Sequence, residues 1–454
     1  MLKKPAYHYR PQANWINDPN GLCHVDGWYH LYFQHHPDGP LWDDMHWGHA
    51  RSRDMMAWET LPIAMSPARE KGEMHCFSGS CCIGHDGMPR VYYTSIGRRE
   101  DGRDSRDGAQ QWTASCSGDM MTLTQTDAHA LCDPAVHGGM HVQEWRDPHV
   151  IRWQDGYLMA VGGLLDRCGC VMAYTSPDGT HWTWRGVMHQ SRIPDGVTWE
   201  CPNIFTLGGK FGLLYSPCGP VEYAIGTLDE DFRLHAEHEG VLDPAGRRGY
   251  YAPQTFVDAH GRQILLGWMP EGDGDEAALL KGWSGVMSLP RLMNLDSDGD
   301  LFCGVLPEAL GIAGRWTQLT AEPGETTLTE NGACSFVCVN SVITQPVVIT
   351  VQYGREQCML TLTPDGEMTL DRHECAASAA IDHSAIMRTL PVRNGEIGLF
   401  LATDHSVIEC MANGCWLSGR VYPETDAQTT ISISCGDNLQ IMLCDDLKAV
   451  NDRF

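Results

Sequence analysis

The sequence lacks long apolar runs, and no stretch approaches the roughly 18 to 20 apolar residues of a transmembrane helix. The N-terminal stretch MLKKPAYHYRPQANW has two lysines but no apolar core of a secretory signal. Hydrophobic residues make up an ordinary 43% of the 454 residues. We therefore expect a cytoplasmic globular protein of two or three domains, with no membrane partner.

Positive charge is scarce. Lysine and arginine number 32 against 58 aspartates and glutamates, giving a formal net charge of −26. Such a surface repels nucleic acid and anionic membranes, because both are polyanions. We expect neither as a partner, and a neutral or cationic small molecule as the ligand.

Cysteine patterns that bind metals are missing, although cysteine itself is common. The 19 cysteines are scattered, and the short pairs Cys81-Cys82 and Cys168-Gly-Cys170 do not have the spacing of zinc fingers or ribbons. We expect most of them to be buried free thiols in a reducing compartment.

Helical periodicity is scarce too, and EAALLKGW is the nearest helical segment. Short strand-like runs such as GWYHLYFQH, PRVYYTS, GYLMAVGG and KFGLLYSP are separated by Gly, Pro, Asp and Asn. Short runs punctuated by turn residues are typical of β-proteins. The sequence therefore predicts an all-β fold.

A weak internal repeat runs through the first half of the chain. SRDMMAW, SGDMMTL and SPDGTHW are similar, TLDEDFRL is a poorer copy, and their aspartates are Asp54, Asp119, Asp178 and Asp229. The aspartates lie 65, 59 and 51 residues apart. This spacing favours four-stranded propeller blades, each with a Ser-x-Asp turn between its outer strands, although chance similarity among such turns would give the same pattern.

The composition changes after LPRLMNLDSDGD. Thirteen of the 15 tryptophans precede residue 300, and Thr, Val and Ile alternation dominates afterwards. We expect a five-bladed β-propeller over 1–295, a linker over 296–312 containing one short helix, PEALGI, and a β-sandwich over 313–454.

Two aspartates have the setting of reactive carboxylates. Asp18 lies in NWINDPNG, where Asp-Pro-Asn-Gly predicts a tight turn beside apolar residues. Asp147 follows Arg146, which is expected to lower its pKa and keep it ionised. A rigid carboxylate in an apolar setting is a candidate nucleophile or acid/base group, but a structural turn or a surface ion pair would show the same residues.

Glu200 has a different setting. It lies between Trp199 and Cys201, which are poor solvents for a negative charge, so we expect its pKa to be raised as a general acid requires. Carboxylates in opposed environments are typical of glycosidases. The alternative is a glutamate that extends into solvent.

Several aromatic residues stand near Gly or Ser rather than at core spacing. Sugars bind aromatic faces, but packing in the core explains any one of these residues equally well. They are Trp28, Trp42, Trp47, Phe77 and Trp283.

The motifs resemble, in order, those of glycoside hydrolase family 32, the β-fructofuranosidases. NWINDPNG resembles the first signature of that family, with Ile16 in place of the usual methionine. The resemblance covers nearly the whole chain, except for about 313–400. The remaining matching segments are FQHHPDGPLWDDMHWGHA, SRDMMAWETLPIAMSP, FSGS, WRDP, WECPNIF, YYAPQTF, GWM, GWSGVMSLPR and SVIECMANGCWLSGRVYP.

This resemblance implies the propeller and sandwich fold and a set of site residues. Asp18 resembles the nucleophile, Glu200 the acid/base, and Asp147 the transition-state stabiliser. No metal or organic cofactor is implied. The residues that resemble positions lining the fructose pocket are Asn17, Gln34, Trp42, Phe77, Ser78, Arg146 and Trp283.

The implied activity is retaining hydrolysis of the β-fructofuranoside of sucrose. A sucrose-6-phosphate hydrolase or an inulin or levan exohydrolase would share every motif, and a non-catalytic fructan-binding protein is a remote alternative. The missing secretion signal disfavours polymer substrates.

Charge at the expected pocket rim favours sucrose over its 6-phosphate. The segment GPLWDDMHWGHA contains Asp43 and Asp44 but no lysine, and a phosphate pocket needs cations or clustered N–H groups. Arginines of later loops, such as Arg98, Arg99 or Arg103, could supply the missing charge.

Overall fold

A computed structural model gives the structure of the protein. It describes residues 4–98, 104–126, 134–375, 382–392, 395–423 and 428–450. Most of the regular structure in these ranges is β-strand, which confirms the all-β prediction. The segment EAALLKGW, the nearest to helical periodicity in the sequence, contributes to α1 (Gly274–Lys281), and PEALGI forms a 3-10 helix (Pro307–Ile312). Two more 3-10 turns are Arg69–Lys71 and Pro134–His137.

Four antiparallel sheets, each built in chain order, occupy the first half of the described chain. The first sheet contains β1 (Asn14–Val25), β2 (Trp28–His36), β3 (His46–Ser52) and β4 (Trp58–Met65). The second contains β5 (Glu73–Ile83), β6 (Pro89–Arg98), β7 (Asp104–Cys116) and β8 (Leu123–Gln125). The third contains β9 (Gln143–Trp153), β10 (Gly156–Leu165), β11 (Cys168–Ser176) and β12 (Thr183–Gln190). The fourth contains β13 (Glu200–Leu207), β14 (Lys210–Ser216), β15 (Val221–Leu228) and β16 (Leu234–Asp243).

A fifth sheet follows and connects back to the first. It contains β17 (Tyr251–Val257), β18 (Gln263–Met269), β20 (Val286–Met287), β21 (Arg291–Leu295) and β22 (Leu301–Val305). Between β18 and β20, the short β19 (Trp283–Ser284) pairs in parallel with β1. The first strands of the five sheets contact one another in a closed ring, in the order β1, β5, β9, β13, β17 and back to β1.

The predicted Ser-x-Asp turns are confirmed. Asp54 lies between β3 and β4, and its Oδ1 accepts N–H bonds from Met56 and Ala57 at 2.9 and 2.8 Å. Asp119, Asp178 and Asp229 occupy the same place in the next three sheets and accept N–H bonds in the same way.

A fifth copy of this turn is present that was not predicted from the sequence. Asp296 lies between β21 and β22 and accepts the N–H groups of Asp298 and Asp300 at 2.9 and 3.0 Å. The segment predicted as a linker, 296–312, therefore begins with this turn and contains β22, which pairs with β21.

Two six-stranded antiparallel sheets make up the rest of the described chain. One has the order β23 (Thr317–Ala321), β34 (Leu439–Cys444), β25 (Cys334–Val342), β30 (Glu396–Asp404), β31 (Val407–Ala412) and β32 (Cys415–Arg420). The other has the order β24 (Gly324–Thr329), β33 (Thr429–Cys435), β26 (Val347–Tyr353), β27 (Glu356–Leu362), β28 (Glu367–Asp371) and β29 (Ile386–Thr389).

The burial of these last strands follows their sequence alternation. In β26 every second residue is buried, including Ile349 and Val351, because successive side chains point to opposite faces. Eleven of the described cysteines are buried free thiols, as expected from the sequence. No helix in the described ranges is long and apolar enough to cross a membrane.

Candidate active site

A shared irregularity of the five first strands forms the floor of the site. Each first strand carries an extra residue relative to its neighbour at an equivalent place, and β1, β5 and β9 each carry a second one elsewhere. A β-bulge bends its strand and re-aims side chains, often beside active sites. The bulges lie at Asn17-Asp18, Phe77-Ser78, Asp147-Pro148, Cys201-Pro202 and Ala252-Pro253.

These bulges correct the sequence prediction for NWINDPNG. Asp18 lies within strand β1, whose pairing with β2 shifts between Ile16 and Pro19, rather than in a separate turn. The Asp-Pro-Asn-Gly segment that suggested a turn instead spans two successive bulges, and Gly21, in the second shift between Asn20 and Cys23, takes the left-handed φ of 54°.

The bulges surround a cavity of about 340 Å³ that opens to solvent. All three predicted catalytic carboxylates line it: Asp18, Asp147 and Glu200. Six of the seven predicted binding residues line it as well, namely Asn17, Gln34, Trp42, Phe77, Ser78 and Arg146. A sugar-sized cavity with convergent polar groups is the usual form of a small-molecule site.

Trp283 is the exception among the predicted binding residues. It is buried on β19 beside Met269 and Val286, and the cations of Arg10 and Lys281 lie over its ring at 5.6 and 4.8 Å. It pairs with Asn14 of β1 and is not among the residues that line the cavity.

The other aromatic candidates divide between the site and the core. Trp42 is 38% exposed at the cavity rim, and its ring lies 6.1 Å from that of Phe77. Trp47 is fully buried, and Trp28 packs against Arg51 and Arg53 outside the cavity lining.

Asp18 is held in place by its neighbours on the bulges. Ser78 Oγ donates to Asp18 Oδ2 at 2.6 Å, and Cys201 Sγ lies 3.5 Å from the same oxygen. Burial raises the pKa of Asp18, although hydrogen bonds from Ser78 and Asn17 oppose that shift. A fixed, poorly hydrated carboxylate of this kind can serve as a nucleophile.

Asp147 lies on the second carboxylate-bearing bulge and is 6% exposed. Its backbone has a φ of 65°, and the N–H of Cys201 donates to its Oδ2 at 3.0 Å. Burial raises its pKa to about 7, and the nearest cation, Arg146 Nε, lies 3.8 Å away and only partly offsets this effect.

Glu200 has far stronger partners. Arg146 Nη2 donates to Oε1 at 2.9 Å, Arg247 Nη2 donates to Oε2 at 2.6 Å, and the Tyr251 hydroxyl donates to Oε2 at 2.5 Å. Burial alone would raise the pKa of Glu200, but these two arginines and the tyrosine outweigh it and lower the pKa to about 2.

The sequence predicted a lowered pKa for Asp147 and a raised pKa for Glu200. Both predictions are wrong, because the pKa of Asp147 is raised and that of Glu200 is lowered. Arg146 precedes Asp147 in sequence, yet its Nη groups turn to Glu200 and to Glu144. Trp199 precedes Glu200, yet its ring stacks on Tyr215 at 3.9 Å on the other side of the strand. Sequence neighbours gave the wrong electrostatic partners.

Five further residues line the cavity that the sequence analysis did not assign to it. Tyr251 and Trp268 lie in the quoted segments YYAPQTF and GWM, so a family motif was available for both. Arg247 comes from the loop before β17, which carries no such signal. The full set is Trp15, Cys201, Arg247, Tyr251 and Trp268.

Three carboxylates converging on an aromatic-rimmed cavity form the arrangement expected of a glycoside hydrolase. The model for the N-terminal domain of glycosyl hydrolases family 32 matches residues 8–303. The chain belongs to this family, as the motifs predicted.

Relatives of known description agree with this assignment. The chain is 32% identical to the sucrose-6-phosphate hydrolase of Escherichia coli over 321 residues, covering 67% of this chain and 65% of that protein. It is 33% identical to a cell wall β-fructofuranosidase of Zea mays over 325 residues, covering 66% and 54%. The match thus spans less than two thirds of either relative.

Solved structures show the same fold. The chain superposes on fructan 1-exohydrolase IIa from Cichorium intybus with a TM-score of 0.85 at 22% sequence identity. The superposition covers 98% of this chain and 97% of that one.

Proposed function

We propose that this protein is a retaining β-fructofuranosidase that hydrolyses sucrose to fructose and glucose. The observation that carries the proposal is the convergence of Asp18, Asp147 and Glu200 on one cavity. Family membership supports it, as does the β-fructofuranosidase among the relatives.

We further propose that the architecture is a five-bladed β-propeller followed by a β-sandwich. The closed ring of first strands supports five blades, and so do the five turns in which an aspartate accepts backbone N–H groups between the last two strands of a sheet. The two six-stranded sheets support the sandwich, which would begin near residue 317 and would follow a propeller that extends to β22.

In the proposed mechanism, protonated Glu200 donates its proton to the glycosidic oxygen while Asp18 attacks the anomeric carbon of the fructosyl group. The C–O bond to glucose breaks, and a fructosyl ester forms on Asp18. Glu200, now a carboxylate, takes a proton from water, which attacks the ester and releases fructose. Asp147 grips fructose hydroxyls in the transition state.

Sucrose-6-phosphate is the second candidate substrate, and Arg247 is the observation that favours it. Its side chain is 53% exposed at the cavity, where it adds a cation that the rim sequence did not predict. The E. coli relative is named for this substrate. Against it, Arg247 is already paired with Glu200, and Arg69, which pairs with Asp44, lines a separate cavity together with Asp43. The side chains of Arg98, Arg99 and Arg103 lie outside the described residues.

The free buried thiols suit a reducing compartment, so we also propose that the protein works in the cytoplasm.

One assay separates the candidate substrates. Release of reducing sugar is measured side by side from sucrose, sucrose-6-phosphate, inulin and levan, and we expect the highest kcat/KM with sucrose. Asp18→Asn is the control for the site, and its kcat should fall by about 10⁴ or more because the covalent step is lost. A higher kcat/KM for the phosphorylated sugar that weakens with added salt would overturn the choice of sucrose.

The stereochemistry tests the covalent step. With methanol as a competing acceptor, the first product should be the methyl β-fructofuranoside, because two inversions retain configuration. The α-anomer as first product would show a single inversion and exclude a fructosyl ester on Asp18.

A further inference from the structure

The contacts of Glu200 hold the proposed acid in its ionised form, which has no proton to donate. Both carboxylate oxygens of Glu200 are occupied, Oε1 by Arg146 and Oε2 by Arg247 and Tyr251. A general acid needs its proton on an oxygen that faces the leaving group. Withdrawal of one of the two cations would therefore favour the protonated form that the first chemical step needs.

The two arginines differ in how firmly they are held. The side chain of Arg146 is 11% exposed, lies on strand β9, and is shared with Glu144 and Asp147. The side chain of Arg247 is 53% exposed and lies on the loop between β16 and β17. Its guanidinium contacts Glu200 and the face of Tyr251, whose centroid is 4.9 Å away.

We propose that Arg247 is a releasable partner of Glu200. Arg247 keeps the carboxylate of Glu200 ionised before substrate binds, and it moves away when the leaving sugar enters. This inference rests on the proposed function, since it assigns Glu200 as the acid. Arg247 is then a positioning residue, because it acts on the reaction through Glu200.

The charges around Glu200 show why release would matter. Without Arg247, the remaining cation is Arg146, which Glu200 shares with two other carboxylates. Once Arg247 has left, the negative charges of Asp18 and Asp147 favour protonation of Glu200. The titratable and charged groups that face Glu200 come from five elements and are Asp18, Arg146, Asp147, Cys218, Arg247 and Tyr251, with its strand neighbour Cys201.

The pKa of Glu200 is about 2, which is consistent with a carboxylate that Arg247 helps to keep ionised. Loss of the Arg247 contact raises that pKa, so less free energy is needed to protonate Glu200 when substrate binds. The kinetic signature belongs to kcat/KM, which reports on the free enzyme, more than to kcat, which reports on the complex.

The test compares Arg247→Gln with Arg248→Gln. Arg248 is the adjacent residue on the same loop, but it binds the carbonyl of Ala245 and the hydroxyl of Ser384 rather than Glu200. Both variants lose one positive charge from one loop. Initial rates with sucrose are measured from acidic to alkaline pH for the wild type and both variants.

We expect Arg247→Gln to raise kcat/KM on the alkaline limb by about tenfold, the effect of one pKa unit. The rise should come from a lower KM, with a smaller change in kcat. Arg247→Lys should restore the wild-type profile in part, and Arg248→Gln should match the wild type. An unchanged profile in Arg247→Gln, or a raised KM at every pH, would overturn the inference, since the latter indicates that Arg247 binds the leaving sugar.

A structural measurement tests release without relying on an Arg247 variant. Crystals of Asp18→Asn are soaked with sucrose or with fructose, which lacks the leaving sugar. We expect the distance from Arg247 Nη2 to Glu200 Oε2 to exceed about 4 Å with sucrose and to stay at hydrogen-bond length with fructose. The same short distance in both complexes would refute release.

These results are separable from those that test the proposed function. If the wild type cleaves no β-fructofuranoside, the proposed function fails. If it cleaves sucrose while the Arg247 contact persists in the sucrose complex, only the release of Arg247 fails.

Discussion

Asp147 lies on the bulge of the third sheet and Glu200 directly before that of the fourth, yet their pKa values are about 7 and about 2. Both carboxylates are withdrawn from water, so burial acts on both in the same direction. The difference comes from hydrogen-bonded cations, because Glu200 has two arginines at 2.6 and 2.9 Å and Asp147 has one at 3.8 Å. The contacts therefore favour the ionised form of Glu200, and burial favours the protonated form of Asp147.

Replacing Glu200 by glutamine tests its role at the residue scale. We expect kcat with sucrose to fall by about 10² to 10⁴, because the leaving glucose must then depart without a proton. The rate of the first step should fall much less for an aryl fructoside, whose leaving group needs little protonation. Rapid-quench measurement of fructosyl-enzyme formation with both substrates checks this expectation.

Glu144→Gln is the matched control, since Glu144 also pairs with Arg146 but does not line the cavity. It should keep the wild-type ratio of rates for the two substrates. Equal losses for sucrose and the aryl fructoside in Glu200→Gln would show that another group is the acid.

At this scale the sequence identified the three carboxylates of the site correctly, but it did not identify the direction of the pKa shifts of Asp147 and Glu200. The motifs placed Asp18, Asp147 and Glu200, and the structure brings all three together. Their pKa order could not be predicted, because Arg247 reaches Glu200 from 47 residues away and Arg146 turns from its sequence neighbour. Chain neighbours are poor guides to contacts that tertiary packing creates.

The element that carries the site is the bulged first strand, repeated in five sheets. Its bulge depends on close packing of backbone between sheets. Gly162 on β10 pairs with Arg146 on β9, and a Cβ at Gly162 would lie 2.2 Å from the carbonyl oxygen of Trp199, next to Glu200. Gly162 therefore allows the third and fourth sheets to approach where their carboxylates meet.

Gly162→Ala should accordingly harm both stability and activity. Overpacking against backbone costs about 1–3 kcal/mol of unfolding free energy, because a carbonyl cannot rotate away as a side chain can. The shift should also move Glu200, so kcat should fall in the folded variant. Thermal unfolding and initial rates measure the two effects.

Gly118→Ala provides the comparison, since a Cβ at this exposed turn meets nothing within 4 Å. Its melting temperature and kcat should both stay near wild type. If Gly162→Ala behaved in the same way, the close approach of the two sheets would not be needed for the site.

The regular parts of the elements were predictable, and the irregular parts were not. Ser-x-Asp turns repeat with local hydrogen bonds, so Asp54 and its three equivalents could be found from sequence. Asp296 was missed because LDSDGD coincides with the change of composition that suggested a domain boundary. The bulges have only a partial local signature, a proline in or directly after four of the five, because the position of each bulge depends on the register with a neighbouring strand.

The whole molecule is joined by a buried charged cluster. Arg291 on β21 donates to Asp243 at 3.1 Å and to Glu409 at 2.8 Å, which connects the fourth and fifth sheets to the C-terminal sheets. His8, before β1, binds Asp404 and Glu409 at 2.9 Å each. All five side chains are buried, so each charge depends on its partners rather than on water.

Protonated His8 should make this connection dependent on pH. Burial opposes the charge on His8, but the two carboxylates outweigh it and raise its pKa to about 9, from about 6.5 in the unfolded chain. A raised pKa means that the stabilisation is complete below pH 6.5 and is lost as the pH rises through 9. It amounts to something on the order of 3 kcal/mol at low pH.

His8→Gln should therefore lower the melting temperature most at pH 6, and its difference from the wild type should shrink between pH 6.5 and 9. Calorimetric scans across this range measure the gap. His181→Gln is the control, because His181 pairs with Asp178 on the surface with 83% of its side chain exposed, and exposed pairs contribute little. A difference in melting temperature between His8→Gln and the wild type that stays the same at every pH would mean that His8 is neutral in the folded protein. The cluster would then join the first five sheets to the C-terminal sheets without a positive charge from the N-terminal segment.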